Sequence, residues 1–321
     1  MNEPIQINEI AADAGRIGRE IAETLSRSLV DLENVIEQVI IAIIGGGHVL
    51  LEGVPGTAKT TLCRSLGRVL GLDHRRIQFT PDLLPSDVTG TRIFNQARSE
   101  FVLQTGPIFC QLLLADELNR APARTQSALL EAMQERQVTI EGDTMELPAP
   151  FIVLATQNPV EQEGVYRLPE AQLDRFMFRV RVGYPQRSGE IELLDLQEAP
   201  PELPRNVCDQ DKIVRLQSFV DSVHASAELK AYIVDIIRSS REHRDVLLGA
   251  SPRAGIFLLK AARARALLHG KTFCTHEDVQ AVANPVLEHR VIMRPEAELA
   301  GRLITDVLES VIKSVPVREP S

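Results

Sequence analysis

The stretch Gly53-Val54-Pro55-Gly56-Thr57-Ala58-Lys59-Thr60 restricts what this chain can fold into more than any other. An apolar run, His48-Val49-Leu50-Leu51-Glu52, leads into it, and a helix-forming segment from Leu62 to Leu70 leads out. A buried strand, a glycine-bearing loop and a helix start make an anion cradle, because loop N–H groups and the positive end of the helix dipole converge on one point. In that frame Lys59 reaches the β- and γ-phosphates of a nucleotide and the Thr60 hydroxyl ligates Mg²⁺. The loop reads as a Walker A motif, with Gly53, Val54, Pro55, Gly56, Thr57, Ala58, Lys59, Thr60 and Thr61 around the phosphates. Ala58 stands where the strict pattern has Gly, and its methyl is tolerable provided that φ stays below zero. Taken alone, the octapeptide also fits a Gly/Pro turn with a stray lysine, so the rest of the chain must decide.

Helical spacing marks Ile17 to Val30 and Leu32 to Ile44 ahead of the loop. Strands are expected at Arg76–Phe79, Leu112–Glu117, Phe151–Thr156 and Phe178–Val182, with a helix over Asn119–Arg136. Two hairpins interrupt this order, Thr91–Phe94 with Glu100–Leu103, and Val138–Leu147 turning at Gly142-Asp143. Apolar strands alternating with helices imply an α/β fold, a parallel sheet covered by helices on both faces with ligands at the strands' carboxyl ends. Beyond Tyr184-Pro185 the strand signals stop and helices are expected over 211–223, 227–241, 251–268, 275–283 and 296–313. Thr275-His276-Glu277-Asp278 fits a capping box. The expected division is an N-terminal segment and helix over 1–30, an α/β core over 31–185, a connecting helix and linker over 186–204, and an all-α domain over 205–321, with residues up to about Gly15 and from Pro316 frayed.

Asp116 and Glu117 end a buried strand downstream of a phosphate loop, which is what a Walker B pair requires. The first carboxylate holds the Mg²⁺ shell, and the second orients or deprotonates the attacking water. Two adjacent acids are more often just solvated; the four apolar residues before them reverse that reading. Asn158, after the next apolar strand, either positions the water or touches the γ-phosphate, unless Asn158-Pro159 is only a turn. Arg175 closes a short helix opened by Pro169, where the dipole favours a cation; the sharper reading is an arginine finger serving a neighbouring subunit. Ser251-Pro252 places Arg253 in a helix's first turn, where the dipole disfavours it, so an anion should compensate: the γ-phosphate of its own subunit.

Together these residues resemble an AAA+ P-loop ATPase of the MoxR family, from about Gly45 to the end of the helical domain. The carrying phrases are Gly47 to Gly56 with Ala58-Lys59-Thr60, Gln78 to Asp87, Ala115 to Pro122 continuing as Thr125 to Glu135, Ala155 to Pro159, Leu168 to Phe176, and Ser251 to Ala254. The family's loop also carries Ala before the lysine. The resemblance implies that Asn158 is sensor 1, Arg175 the arginine finger and Arg253 sensor 2. It makes the hairpins the helix-2 insert and the pre-sensor-1 hairpin, and the last domain a helical lid. It further implies ring-shaped homo-oligomers, commonly hexamers, and chaperone-like remodelling of complexes with a partner bearing a von Willebrand factor A domain. Where the family reads Val-Gly-Gln-Glu, this chain has Val30-Asp31-Leu32-Glu33, so adenine contacts are less defined than phosphate contacts.

A net charge of −9 argues against a duplex-binding surface. Cys63, Cys110, Cys208 and Cys274 are scattered without a C-x-x-C pair, so they read as small core or surface residues in a reducing compartment. The N-terminus has no leader pattern and no apolar run spans a bilayer, which points to the cytoplasm. The leading expectation is therefore an ATP- and Mg²⁺-dependent remodelling ATPase. A chelatase- or helicase-type motor would look almost the same in the core. A nucleotide-gated switch with negligible turnover would not need Glu117, Asn158 and Arg175.

Overall fold

The structure is a computed structural model describing residues 3–54, 56–159, 166, 168–198 and 204–317. Pro55, residues 199–203 of the expected linker and the extreme ends of the chain lie outside the described residues. In the first half the elements are α1 (Glu3–Ser26), α2 (Glu33–Ile44), β1 (Val49–Glu52), α3 (Lys59–Val69), β2 (His74–Gln78), α4 (Pro85–Thr89), β3 (Gly90–Asn95), β4 (Glu100–Thr105), β5 (Leu112–Asp116), α5 (Ala123–Glu135), β6 (Gln137–Ile140), β7 (Asp143–Glu146), β8 (Ile152–Gln157), α6 (Glu170–Leu173) and β9 (Phe178–Arg181). The second half carries α7 (Arg187–Glu198), α8 (Gln210–Val220), α9 (Ala227–Glu242), β10 (Val246–Leu248), α10 (Pro252–Leu268), α11 (His276–Leu287), β11 (Ile292–Met293), α12 (Pro295–Leu299) and α13 (Ile304–Ser314).

Five parallel strands form one sheet in the order β2-β5-β8-β1-β9. Its central strands are buried throughout because their two faces feed two cores. Val49, Leu51, Leu112, Leu114, Ile152 and Leu154 join one, while Leu50, Leu113, Ala115, Val153 and Ala155 join the other. Register aligns the strand ends: Glu52 lies opposite Gln157, and Gln78 opposite Asp116. Every loop that leaves this edge therefore starts from the same level, which is how residues far apart in sequence reach one site.

Two hairpins stand off the sheet as expected, β3–β4 and β6–β7. The second turns one residue earlier than Gly142-Asp143: Glu141 and Gly142 are the central pair, both at positive φ, as a tight two-residue hairpin turn demands. Phe94 and Phe101 face each other across the first hairpin, edge to face at 5.3 Å and exposed.

The C-terminal part is helical, with three differences from the sequence expectation. β10 and β11 pair antiparallel, so strands do not stop at Tyr184. α11 continues through Pro285 to Leu287 rather than ending at Ala283. The expected helix over 296–313 is two, α12 and α13, because Gly301 at φ +74° turns the chain between them. The Thr275–Asp278 capping box is present.

The N-terminal segment also differs: it is helix from Glu3, not a frayed end up to Gly15. Ile10, Ala14, Ile17, Ile21 and Leu25 make its buried stripe. The small residues that weakened the apolar signal are its docking face. A Cβ on Gly15 would lie 3.0 Å from the Gly270 backbone nitrogen, and one on Gly18 would lie 3.0 Å from the Leu268 side chain. Close approach at Gly15 and Gly18, beside that apolar stripe, brings α1 against the end of α10.

Candidate functional site

The loop after β1 is shaped by contacts that tolerate little change. A Cβ on Gly53 would sit 2.4 Å from the Val182 carbonyl oxygen, so only glycine passes between β1 and the end of β9. Gly56 takes φ +84°. Ala58, at the N-cap position of α3, is at φ 56° and ψ 15°, which corrects the expectation that its backbone stays below zero. This position does demand the left-handed conformation that glycine adopts freely, and Ala58 holds it under strain. The Lys59 ammonium donates to the carbonyl oxygens of Gly53 (2.6 Å) and Val54 (2.7 Å) and to the Thr57 hydroxyl (3.3 Å). Burial pulls its pKa below the ordinary lysine value, while Asp116 and Glu117 pull it back up.

Asp116 ends β5, and its two carboxylate oxygens have separate partners. Oδ1 accepts from the Thr156 hydroxyl at 2.6 Å, and Oδ2 accepts from Arg76 Nη2 at 2.7 Å. Glu117 sits at φ 55°, its amide N–H donated to Thr156 Oγ1 at 2.8 Å. Its Oε2 accepts from Gln78 Nε2 (2.7 Å) and Arg120 Nη1 (2.8 Å). One hydroxyl, Thr156, thus holds both acids at once. Arg76, Gln78 and Thr156 contact the two acids, although in the sequence they look like ordinary strand residues. The signal for Arg76 and Gln78 was polar side chains at alternate positions of β2, next to the strand that carries Asp116.

Gly56 to Thr61, Asp116, Glu117, and Thr156 to Asn158 line one cavity of about 360 Å³ at the carboxyl edge of the sheet. Lys59, Thr60, Asp116, Glu117 and Asn158 therefore meet in one place, and Asn158 is buried. Arg175 and Arg253 do not line it. Arg175 lines a separate hollow of about 390 Å³ with Ser127, Glu131, Glu135 and Gln172 on the outer face of α5. Arg253 is half-buried in the first turn of α10. Ser251 occupies the N-cap position there without capping; its hydroxyl lies 3.5 Å from Asp174 Oδ2 instead. Asp31, in the departure from the family pattern, takes φ 57° and accepts the Gln186 N–H at 2.8 Å, so it anchors the start of α7. All four cysteines are buried and free, and burial pushes each thiol up to about 12.

Among known protein families, the one described as ATPase family associated with various cellular activities (AAA) matches residues 48–178, and the AAA lid domain matches residues 238–310. Uncharacterized protein YeaC of Bacillus subtilis is 46% identical over 297 residues, covering 92% of this chain and 93% of its own. Chaperone MoxR1 of Mycobacterium tuberculosis is 42% identical, covering 95% of this chain and 83% of its own. Protein MoxR of Methylorubrum extorquens is 31% identical, over 94% of each chain. A crystal structure of a candidate ATPase from Cytophaga hutchinsonii superposes with a TM-score of 0.92 at 38% identity, over 99% of this chain and 100% of that one.

Proposed function

This chain belongs to the MoxR family of AAA+ ATPases, and on that premise we propose that it hydrolyses ATP with Mg²⁺ in a ring-shaped, hexameric homo-oligomer to remodel or activate a partner protein complex. The observation that carries the reading is the single cavity in which Lys59, Thr60, Asp116, Glu117 and Asn158 meet. Lys59 exchanges the Gly53 and Val54 carbonyls for the β- and γ-phosphate oxygens, whose negative charge offsets the burial that lowers its pKa. Glu117 orients the attacking water and takes its proton, and Asn158 fixes the water or the γ-phosphate beside it. Arg175, outside its own cavity, serves the neighbouring subunit, while Arg253 reads the γ-phosphate from its own lid.

The donor set fits Mg²⁺. The Thr60 hydroxyl and the Asp116 carboxylate are hard oxygen donors in the same cavity. Among the described residues no group of three or more His, Cys, Asp or Glu could cage a metal. A cation that takes one or two protein oxygens and completes its shell with phosphates and water suits such a site. When bound, Mg²⁺ neutralises charge on the phosphoryl oxygens. Family membership is also the support for a cytoplasmic assembly and for a partner with a von Willebrand factor A domain. No helix among the described residues is long and apolar enough to cross a membrane.

The test is a pair of variants. Glu117→Gln is expected to bind ATP with unchanged affinity and lose turnover, and Lys59→Ala to lose binding. Hydrolysis by Glu117→Gln at the parent rate would overturn the assignment.

A further inference from the structure

Three consecutive polar residues just past α11, Glu288, His289 and Arg290, are buried; the last two reach into the segment that joins α6 to β9, and the first reaches the end of β9 itself. Glu288 pairs with Arg181 of β9. The His289 Nε2 lies 3.1 Å from the Phe176 carbonyl oxygen. Arg290 is the centre of the contact. Its Nε donates to Asp174 Oδ1 at 2.7 Å, its Nη2 to the backbone carbonyls of Asp174 (3.1 Å) and Phe176 (2.5 Å), and its Nη1 to that of Met177 (3.2 Å). Its guanidinium also stacks over the Phe257 ring of α10 at 4.8 Å. Burial, opposed by Asp174 and assisted by the like charge of Arg253, brings the Arg290 pKa down to about 10.

The segment so gripped contains Arg175, whose flanking carbonyls at 174 and 176 are both bonded to one lid side chain. Asp174 also faces the lid with its second oxygen, 3.5 Å from the hydroxyl of Ser251, two residues before Arg253. Arg175 itself makes no ion pair among the described residues. The core holds the N–H side of this segment, with the N–H groups of Asp174, Arg175, Phe176 and Met177 bonded to the carbonyls of Glu170, Gln172, Leu173 and His48, while the lid holds its carbonyl side and the Asp174 carboxylate.

We propose that Arg290, with Asp174, is a positioning latch that ties the lid of a subunit to its own Arg175, so that the state of the lid fixes whether that arginine is presented to the neighbouring nucleotide. The proposal rests on the reading of Arg175 as acting in trans. A planar guanidinium is the group for this task, because one rigid fork can hold several carbonyls and a carboxylate at once, which an ammonium cannot. Displacing a group that stabilises transferring phosphate by even about 1 Å costs roughly a hundredfold in rate, so the latch acts on turnover rather than on nucleotide binding.

The test uses full-length subunits in mixed assemblies. Asp174→Asn, Arg290→Lys and Arg175→Ala are each assayed alone and then mixed with Glu117→Gln, which has a dead site and an intact Arg175 segment. Alone, each latch variant is expected to bind a fluorescent ATP analogue within about twofold of the parent and to hydrolyse ATP at least roughly tenfold more slowly. Mixed with Glu117→Gln, each should recover hydrolysis, because its intact site now meets a correctly held arginine from its neighbour. Recovery by Arg175→Ala but not by the latch variants, or parent-like hydrolysis by both latch variants alone, would overturn the latch. Failure of Arg175→Ala to recover at any ratio would overturn action in trans, and the latch with it. If Arg290→Lys loses its thermal unfolding transition, the half-buried partner variant Asp174→Asn carries the test.

Discussion

Arg76 and Asp116 are joined through two nitrogens and one oxygen: Nε at 3.1 Å and Nη2 at 2.7 Å both donate to Asp116 Oδ2. The carboxylate assigned to the Mg²⁺ shell is thus already engaged by an arginine of the adjacent strand. Arg76 is half exposed, so the pair is worth only about 0.5–1 kcal/mol after solvent screening. Arg76→Gln should therefore lower the Mg²⁺ concentration for half-maximal hydrolysis by roughly two- to fivefold. A Mg²⁺ titration of turnover checks this, and a rise instead would show that Arg76 works with the phosphates rather than against the cation.

Thr156 is the shared support of both acids, donating to Asp116 and accepting from the Glu117 amide. Thr156→Val keeps the shape and leaves two buried polar groups unpaired, at about 1–3 kcal/mol each. The expected result is a loss of about 2–6 kcal/mol in unfolding free energy and roughly a tenfold fall in kcat with little change in KM. Thr156→Ser, which keeps the hydroxyl, should restore most of both. Urea unfolding and steady-state kinetics on the two variants separate this from a mere packing defect.

Ala58 holds a left-handed conformation at φ 56°. Ala58→Gly removes the Cβ that makes this costly, and the gain exceeds the added freedom of the unfolded chain. An increase of about 0.5–1 kcal/mol in unfolding free energy is expected. No gain in the urea midpoint would mean that the loop's contacts, not the Cβ, set the strain.

The His48 ring has both nitrogens committed in the neutral form. Nδ1 accepts the Val153 N–H at 3.0 Å, which leaves Nε2 as the donor to the Met133 carbonyl oxygen, also 3.0 Å away. Burial, with the nearby charge of Arg136, lowers its pKa to about 3. Folding therefore disfavours the protonated ring: the stability linked to it is fully present above the unfolded value of 6.5 and is lost as pH falls from there towards about 3. His289, also buried, shifts in the same direction. His48 should cost about 1.4 kcal/mol at pH 5.5 relative to pH 7.5, and His289 should add a loss of the same sign. Chemical denaturation at the two pH values should show the loss, and His48→Gln should remove one histidine's share of it.

The sequence by itself determined the Gly53–Thr61 loop, the acids at the end of β5, the order of sheet strands along the chain and Asn158. Each is a local pattern: a continuous apolar run says buried strand, and the residues just after such a run must lie at the carboxyl edge of a parallel sheet. For Arg175 and Arg253 the sequence offered expected roles from their places at helix ends and the family likeness named those roles, but neither arginine lines the cavity of Lys59 and Asn158. Only the tertiary structure decided the left-handed Ala58, the docking of α1 through Gly15 and Gly18, the Arg76–Asp116 pair, and the grip of Arg290 on Asp174. The physical reason is common to all four. Strain and close approach depend on which backbone comes near, and the Arg290 bond joins residues 116 positions apart. In the sequence, Glu288-His289-Arg290 is a polar interruption between apolar residues; burial against one particular loop is what makes it a clamp.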